Sequence, residues 1–146
     1  MSRDGRYLAY VKPDSSNIAN VFVRKLPSRR RDMALERSAK DLSIFDRDGT
    51  KTDRQVTFEK VEGVSAYSWS EDSTGILFIQ DHDGDENYHL YLASIATPGD
   101  AIDLTPFPGV KAQDIYSSEL YPTKLFIVSF RSNTSGRHVS AVTCQL

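Results

Sequence analysis

The chain has 146 residues, 39% hydrophobic and 26% charged, with a formal net charge of −2; this excludes a disordered composition and gives no general pull toward nucleic acid or an anionic membrane. Its single cysteine, Cys144, excludes an intrachain disulfide and multi-cysteine metal sites, and reads as a small buried hydrophobe in a strand. No apolar stretch approaches the roughly 20 residues of a membrane span, and Met1-Ser2-Arg3-Asp4-Gly5 lacks the apolar core of a signal peptide, so a cytoplasmic domain of ordinary size is expected.

The first element is a turn, Ser2-Arg3-Asp4-Gly5, that leads into a strand at Tyr7–Val11. A second strand follows at Ala19–Arg24. The segment Pro27–Asp46 then interrupts the strand pattern. Leu35, Ala39 and Leu42 stand at i, i+4 and i+7, which predicts a short amphipathic helix near 29–42. Arg29–Arg31 has acidic neighbours at Asp32, Glu36 and Asp41. It reads as a solvated loop, because nucleic-acid binders carry a larger basic footprint. The turn Asp46-Arg47-Asp48-Gly49 precedes Gln55-Val56-Thr57-Phe58.

A fuller unit runs from about Val64 to Phe107. Four strands are predicted in it: Val64–Ser70, Gly75–Gln80, Tyr88–Ile95 and Ala101–Leu104. Short turns separate them, so they should form an antiparallel meander the size of one propeller blade. Its turn, Ser70-Glu71-Asp72-Ser73, leads into the apolar run Ile76-Leu77-Phe78-Ile79 and repeats the start of the chain. A degraded third copy, Ser117-Ser118-Glu119, leads into Leu125-Phe126-Ile127-Val128, and a last strand spans His138–Cys144. Setting Leu77 against Leu125 gives a period of about 48 residues; setting Leu8 against Leu77 gives about 69, so the first unit carries an insertion. The expected fold is all-β: a partial β-propeller of about two and a half blades, with units at 2–58, 64–107 and 112–146 and the insertion at 27–46.

No residue set carries recognisable catalytic, cofactor or metal chemistry. The nearest approach to a hydrolase nucleophile turn, G-x-S-x-G, is Gly63-Val64-Ser65-Ala66-Tyr67. Tyr67 replaces the second glycine, and Ser65 precedes a strand instead of a helix. His82, His89 and His138 have no Asp and Ser at a recognisable spacing. Asp81, Asp83 and Asp85 alternate like the start of a calcium loop, but Gly84 is misplaced and Leu92 stands where a bidentate glutamate is needed. A hairpin connection turning at Asp83-Gly84 is the expectation, with a basic or backbone partner for the crowded carboxylates. Tyr67, Trp69, Phe78, Tyr88 and Tyr91 read as packing between blades, with their polar atoms partnered.

The ordered series Gln55-Val56-Thr57-Phe58, Tyr67-Ser68-Trp69-Ser70, Gly84-Asp85-Glu86-Asn87-Tyr88-His89-Leu90-Tyr91 and Asp103-Leu104-Thr105-Pro106-Phe107 resembles the N-terminal β-propeller of the prolyl oligopeptidase family of serine peptidases, especially its acylaminoacyl-peptidase and dipeptidyl-aminopeptidase-like branch. The opening Ser2–Tyr10 element is common to TolB-like propeller repeats. The resemblance covers Ser2 to about Phe130. It implies a propeller standing over an α/β-hydrolase domain and restricting which peptides enter. The family's triad lies in that hydrolase domain, which has no counterpart here, so no catalytic residue carries over and the chain alone is expected not to be an enzyme. The expected partners are that hydrolase domain and, indirectly, peptides, with self-association through open blade edges. A TolB-like interaction scaffold unrelated to an enzyme is the alternative reading. A calcium-stabilised module built on Asp81, Asp83 and Asp85 is a weaker one.

Overall fold

The computed structural model describes residues 1–26, 53–81, 84–107, 109–121, 123–133 and 136–145. The expected helix near 29–42, Arg29–Arg31, His82 and Asp83 lie outside these residues. Within them the chain is all-β, without a helix. No helix of the described residues is long and apolar enough to cross a membrane.

Among the described residues ten strands form three antiparallel sheets. The first sheet joins β1 (Tyr7–Pro13), β2 (Ala19–Lys25) and β3 (Arg54–Gln55) in that order. The second is a four-stranded meander of β4 (Tyr67–Trp69), β5 (Gly75–Gln80), β6 (His89–Ser94) and β7 (Ala101–Asp103). The third joins β8 (Val110–Ser117), β9 (Lys124–Asn133) and β10 (Gly136–Gln145). Cys144 falls in β10, opposite Leu125 of β9, and His138 falls opposite Arg131.

The second sheet lies between the other two, and β5 shows why. Its apolar run is buried on both faces, as a strand with covered faces must be. Alternation sends Ile76 and Phe78 one way, where they meet Ala9, Val21, Val23, Val56 and Val64. Leu77 goes the other way, with Leu90, to meet Ala112, Leu125 and Ile127. Tyr67, Trp69, Phe78 and Tyr91 pack in the cluster shared with the first sheet, as expected; Tyr7 stacks on Trp69 across the two sheets at 6.3 Å, and Phe78 on Tyr91 within the second sheet at 5.4 Å. The Tyr67 hydroxyl crosses to the first sheet and donates to the Ala9 carbonyl at 2.7 Å. Trp69 departs from expectation, since its buried indole N–H has no partner.

The strand β8 is absent from the sequence reading. A bulge between Ala112 and Asp114 shifts its register against β9. The extra residue puts the buried Ala112 and the half-buried Ile115 three positions apart, which destroys the alternation by which a strand is recognised.

The repeat is visible atom by atom. The Val56 N–H donates to the Val21 carbonyl at 2.9 Å, and the Leu104 N–H to the Leu90 carbonyl at 2.8 Å. In return, Val21 N–H donates to Thr57 Oγ1 at 2.8 Å and Leu90 N–H to Thr105 Oγ1 at 2.9 Å. A threonine hydroxyl thus takes the next ladder position, which ends β3 at Gln55 although the apolar pattern runs on to Phe58. Thr57 and Thr105 are separated by the same interval as Leu77 and Leu125. Val21 and Leu90 are separated by the longer interval of Leu8 and Leu77, so the offset changes between β2 and β3.

Candidate functional site: a shared mouth of three turns

Each sheet carries a turn before one of its strands, β1, β5 or β9, and the first two turns are built alike. Ser2 Oγ donates to Asp4 Oδ1 at 2.8 Å, and the same oxygen accepts the Tyr7 N–H at 2.9 Å. Asp4 Oδ1 accepts the Arg6 N–H at 3.0 Å. Ser70 Oγ likewise donates to Asp72 Oδ1 at 2.6 Å and accepts the Gly75 N–H at 2.9 Å, while Asp72 Oδ1 accepts the Thr74 N–H at 3.0 Å. The fourth residue is left-handed in both, Gly5 at φ 72° and Ser73 at φ 63°. The third turn keeps the reverse bond, Tyr121 N–H to the Ser118 carbonyl at 3.0 Å, as Gly5 N–H bonds Ser2 and Ser73 N–H bonds Ser70.

The second position of the three turns holds Arg3, Glu71 and Glu119. The Arg3 guanidinium pairs with both carboxylates. Ser117 Oγ also donates to Glu71 Oε1 at 2.7 Å, and Ser73 Oγ accepts the Asp4 N–H at 3.2 Å. The hydrogen bond from Ser117, joined by Arg3 and opposed by burial, lowers the Glu71 pKa; the bond to Glu119 raises that of Arg3, seconded by Glu71. Facing sheets stand about 10 Å apart, so parallel layers would put the third turn about 20 Å from the first. Arg3 touches the turns of both the second and third sheets. The three turns therefore converge.

Two backbone bonds tie each sheet to the next at equivalent places: Val64 N–H to the Ala19 carbonyl and Ala112 N–H to the Tyr88 carbonyl, both 2.8 Å. This explains Gly63 in the near-miss nucleophile motif. A Cβ there would lie 2.6 Å from the Ala19 Cβ, so the glycine allows close approach of two chains. Ser65 is exposed in an extended connection with no helix after it.

His89 has a partner that sequence spacing did not reveal. Its Nδ1 lies 2.7 Å from Asp103 Oδ2, across the pairing of β6 with β7. Asp103 Oδ1 also accepts the Thr105 N–H at 2.8 Å, which makes the D-L-T element a structural clasp. Asp81 and Asp85 hold separate backbone groups: Asp81 Oδ2 accepts the Glu86 N–H at 3.2 Å and Asp85 Oδ1 the Asn87 N–H at 2.9 Å. Backbone partners for these carboxylates agree with the sequence reading. The connection from Gln80 to His89 is longer than a two-residue turn, with Gly84 at φ 79° and Glu86 at φ 56°. Among the described residues no group of three or more His, Cys, Asp or Glu side chains is placed to hold a metal ion.

A second polar cluster lies on the outer face of the first sheet. The Asp53 side chain is 2% exposed and receives Arg24 Nε at 2.7 Å, Lys12 Nζ at 3.2 Å and the Tyr10 hydroxyl. Burial pushes its carboxyl up, but the bonds from Arg24, Tyr10 and Lys12 outweigh it and hold the pKa at about 2. The paired Arg24 is raised in turn by Asp53.

The chain is 36% identical over 127 residues to dipeptidyl aminopeptidase BIII of Pseudoxanthomonas mexicana, covering 87% of this chain and 15% of that protein. It is 30% identical over 151 residues to dipeptidyl peptidase family member 6 of Caenorhabditis elegans, covering 99% of this chain and 17% of that protein. The chain is a distant relative of dipeptidyl peptidases. The two matches support the resemblance to the prolyl oligopeptidase family. The chain spans only about a sixth of the length of these curated relatives. No protein-family model matches it.

Proposed function

We propose that this chain is the non-catalytic blade region of a prolyl-oligopeptidase-like serine peptidase, and that its three sheets, β1–β3, β4–β7 and β8–β10, are successive propeller blades. The observation that carries this reading is Arg3 reaching both Glu71 and Glu119. Turns that converge while the sheets remain packed face to face require the sheets to fan about one axis, which is how blades are arranged. The shared mouth of turns would then lie near that axis, on the path of peptides to an α/β-hydrolase domain. Blades at this position admit extended peptides and exclude folded proteins, so the role is gating and support. Chemistry would be supplied by the hydrolase domain.

The experiment is antibody capture of the native protein bearing this sequence, followed by assay on chromogenic dipeptide substrates. Release of N-terminal dipeptides, blocked by a serine-directed fluorophosphonate, is expected from the captured protein. The purified 146-residue chain should release none. A captured protein that has only further blade repeats and no activity would reject the peptidase reading in favour of a scaffold.

A further inference from the structure

Where the first two sheets part, next to the turns, a cleft of about 510 Å³ opens. This lies within the usual range for small-ligand sites, roughly 300–1,000 Å³. Its apolar surface comes from Val23, Val56, Ile95 and Tyr7. The first sheet contributes three cations, Arg6, Lys25 and Arg54, and the second contributes the hydroxyls of Ser73, Thr74 and Ser94. No carboxylate lines it among the described residues.

Two of the cations and two of the hydroxyls are left poised to donate, while the Thr74 hydroxyl is spent on Asp72 Oδ2 at 2.8 Å. Arg6 is committed to Asp4, with Nε 2.5 Å from Oδ2. Arg54 donates to a neutral group, the Ala96 carbonyl at 3.0 Å, so its charge is not neutralised by that bond. Lys25 forms no ion pair among the described residues. The Ser94 oxygen accepts the N–H groups of Ala96 and Thr97 at 3.1 and 3.3 Å, and the Ser73 oxygen accepts that of Asp4. A hydroxyl that accepts from the backbone still has its own proton to give. Ser73 lines the cleft and is otherwise buried, at 4% exposure.

We propose that this cleft binds an oxyanion, a carboxylate or phosphate group, carried on a short apolar stem. Lys25 and Arg54 supply charge, Ser73 and Ser94 supply donors, and the stem lies on Val23, Val56 and Ile95. Charge-assisted bonds of this kind are stronger than neutral ones, and the apolar walls shield them from water. The site is independent of the peptidase reading, since it uses neither Arg3 nor the two glutamates that join the turns.

The test follows the methyl resonances of Val23, Val56 and Ile95 in the 146-residue chain during titration. The probes are inorganic phosphate, N-acetylalanine, and the neutral N-acetylalaninamide. Saturable shifts with one or both oxyanions, and none with the amide, are expected; the tighter of the two identifies phosphate or carboxylate as the ligand group. Lys25→Gln combined with Arg54→Gln should weaken binding about tenfold or more. Thr74→Glu, which sets a carboxylate in the opposite wall, should abolish it even if the double variant fails to fold. The proposal is overturned if neither oxyanion saturates at millimolar concentration, if the amide acts equally, or if a folded variant binds as the parent does.

Discussion

Arg3 and Glu71 hold the same position in two successive turns, and their side chains form an ion pair across the sheets. Repeats usually conserve charge at matching places, which would set like beside like. Here the first copy is inverted, and one arginine faces the two glutamates of the later copies.

Charge reversal by Arg3→Glu should therefore lower the melting temperature by a few degrees at low salt, and by less as salt rises. The double variant Arg3→Glu/Glu71→Arg should recover part of the loss. Calorimetry at two ionic strengths reads both effects. A salt-independent loss would mean the pair acts through packing alone.

The two threonine clasps give a second prediction. Thr105→Val keeps the shape but leaves the Leu90 N–H without its acceptor, and Thr57→Val does the same to Val21. Each should cost about 1–3 kcal/mol in urea unfolding. Thr97→Val, at an exposed position, should stay within about 0.5 kcal/mol of the parent.

These clasps show how the sequence was and was not legible. The strings Gln55-Val56-Thr57-Phe58 and Asp103-Leu104-Thr105-Pro106-Phe107 stand out as a family signature, but nothing in their composition says that a hydroxyl replaces a backbone acceptor. The continuous apolar run of β5 was readable, because a strand buried on both faces needs one. β8 was not, because its bulge breaks the period of two. The turns at Ser2 and Ser70 were readable from their small polar residues. The meeting of Arg3 with Glu119 was not, since it depends on the angle between sheets. The pairing of His89 with Asp103 likewise depends on strand register, which spacing alone did not supply.

Acid should destabilise the chain through Asp53. Its folded pKa, about 2, lies below the ordinary carboxylate value of 3.8. Its contribution is therefore complete above about pH 4 and is lost as pH falls toward 2. Asp4, Asp14, Asp72 and Glu71 are also lowered and act in the same direction. Asp53→Asn should lower stability at neutral pH and flatten, without abolishing, the fall between pH 4 and 2. Urea midpoints measured across that range test it; an unchanged slope would show that Asp53 is not held as the geometry indicates.

The outer face of the third sheet leaves Tyr116 and Phe126 paired in register and 58% and 43% exposed. Apolar faces without a neighbour associate. The isolated chain should therefore sediment with a concentration-dependent mass, and Tyr116→Ser with Phe126→Thr should shift it toward the monomer. A parent chain that is monomeric at every concentration would contradict this.

Propeller blades must fan about an axis. Spin labels in a Cys144→Ser background can measure this, with one pair at Leu8→Cys and Tyr116→Cys on β1 and β8, and another at Arg54→Cys and Arg137→Cys on β3 and β10. Fanned blades predict a clearly shorter distance for the first pair than for the second. Equal distances would mean parallel layers and would contradict the propeller reading.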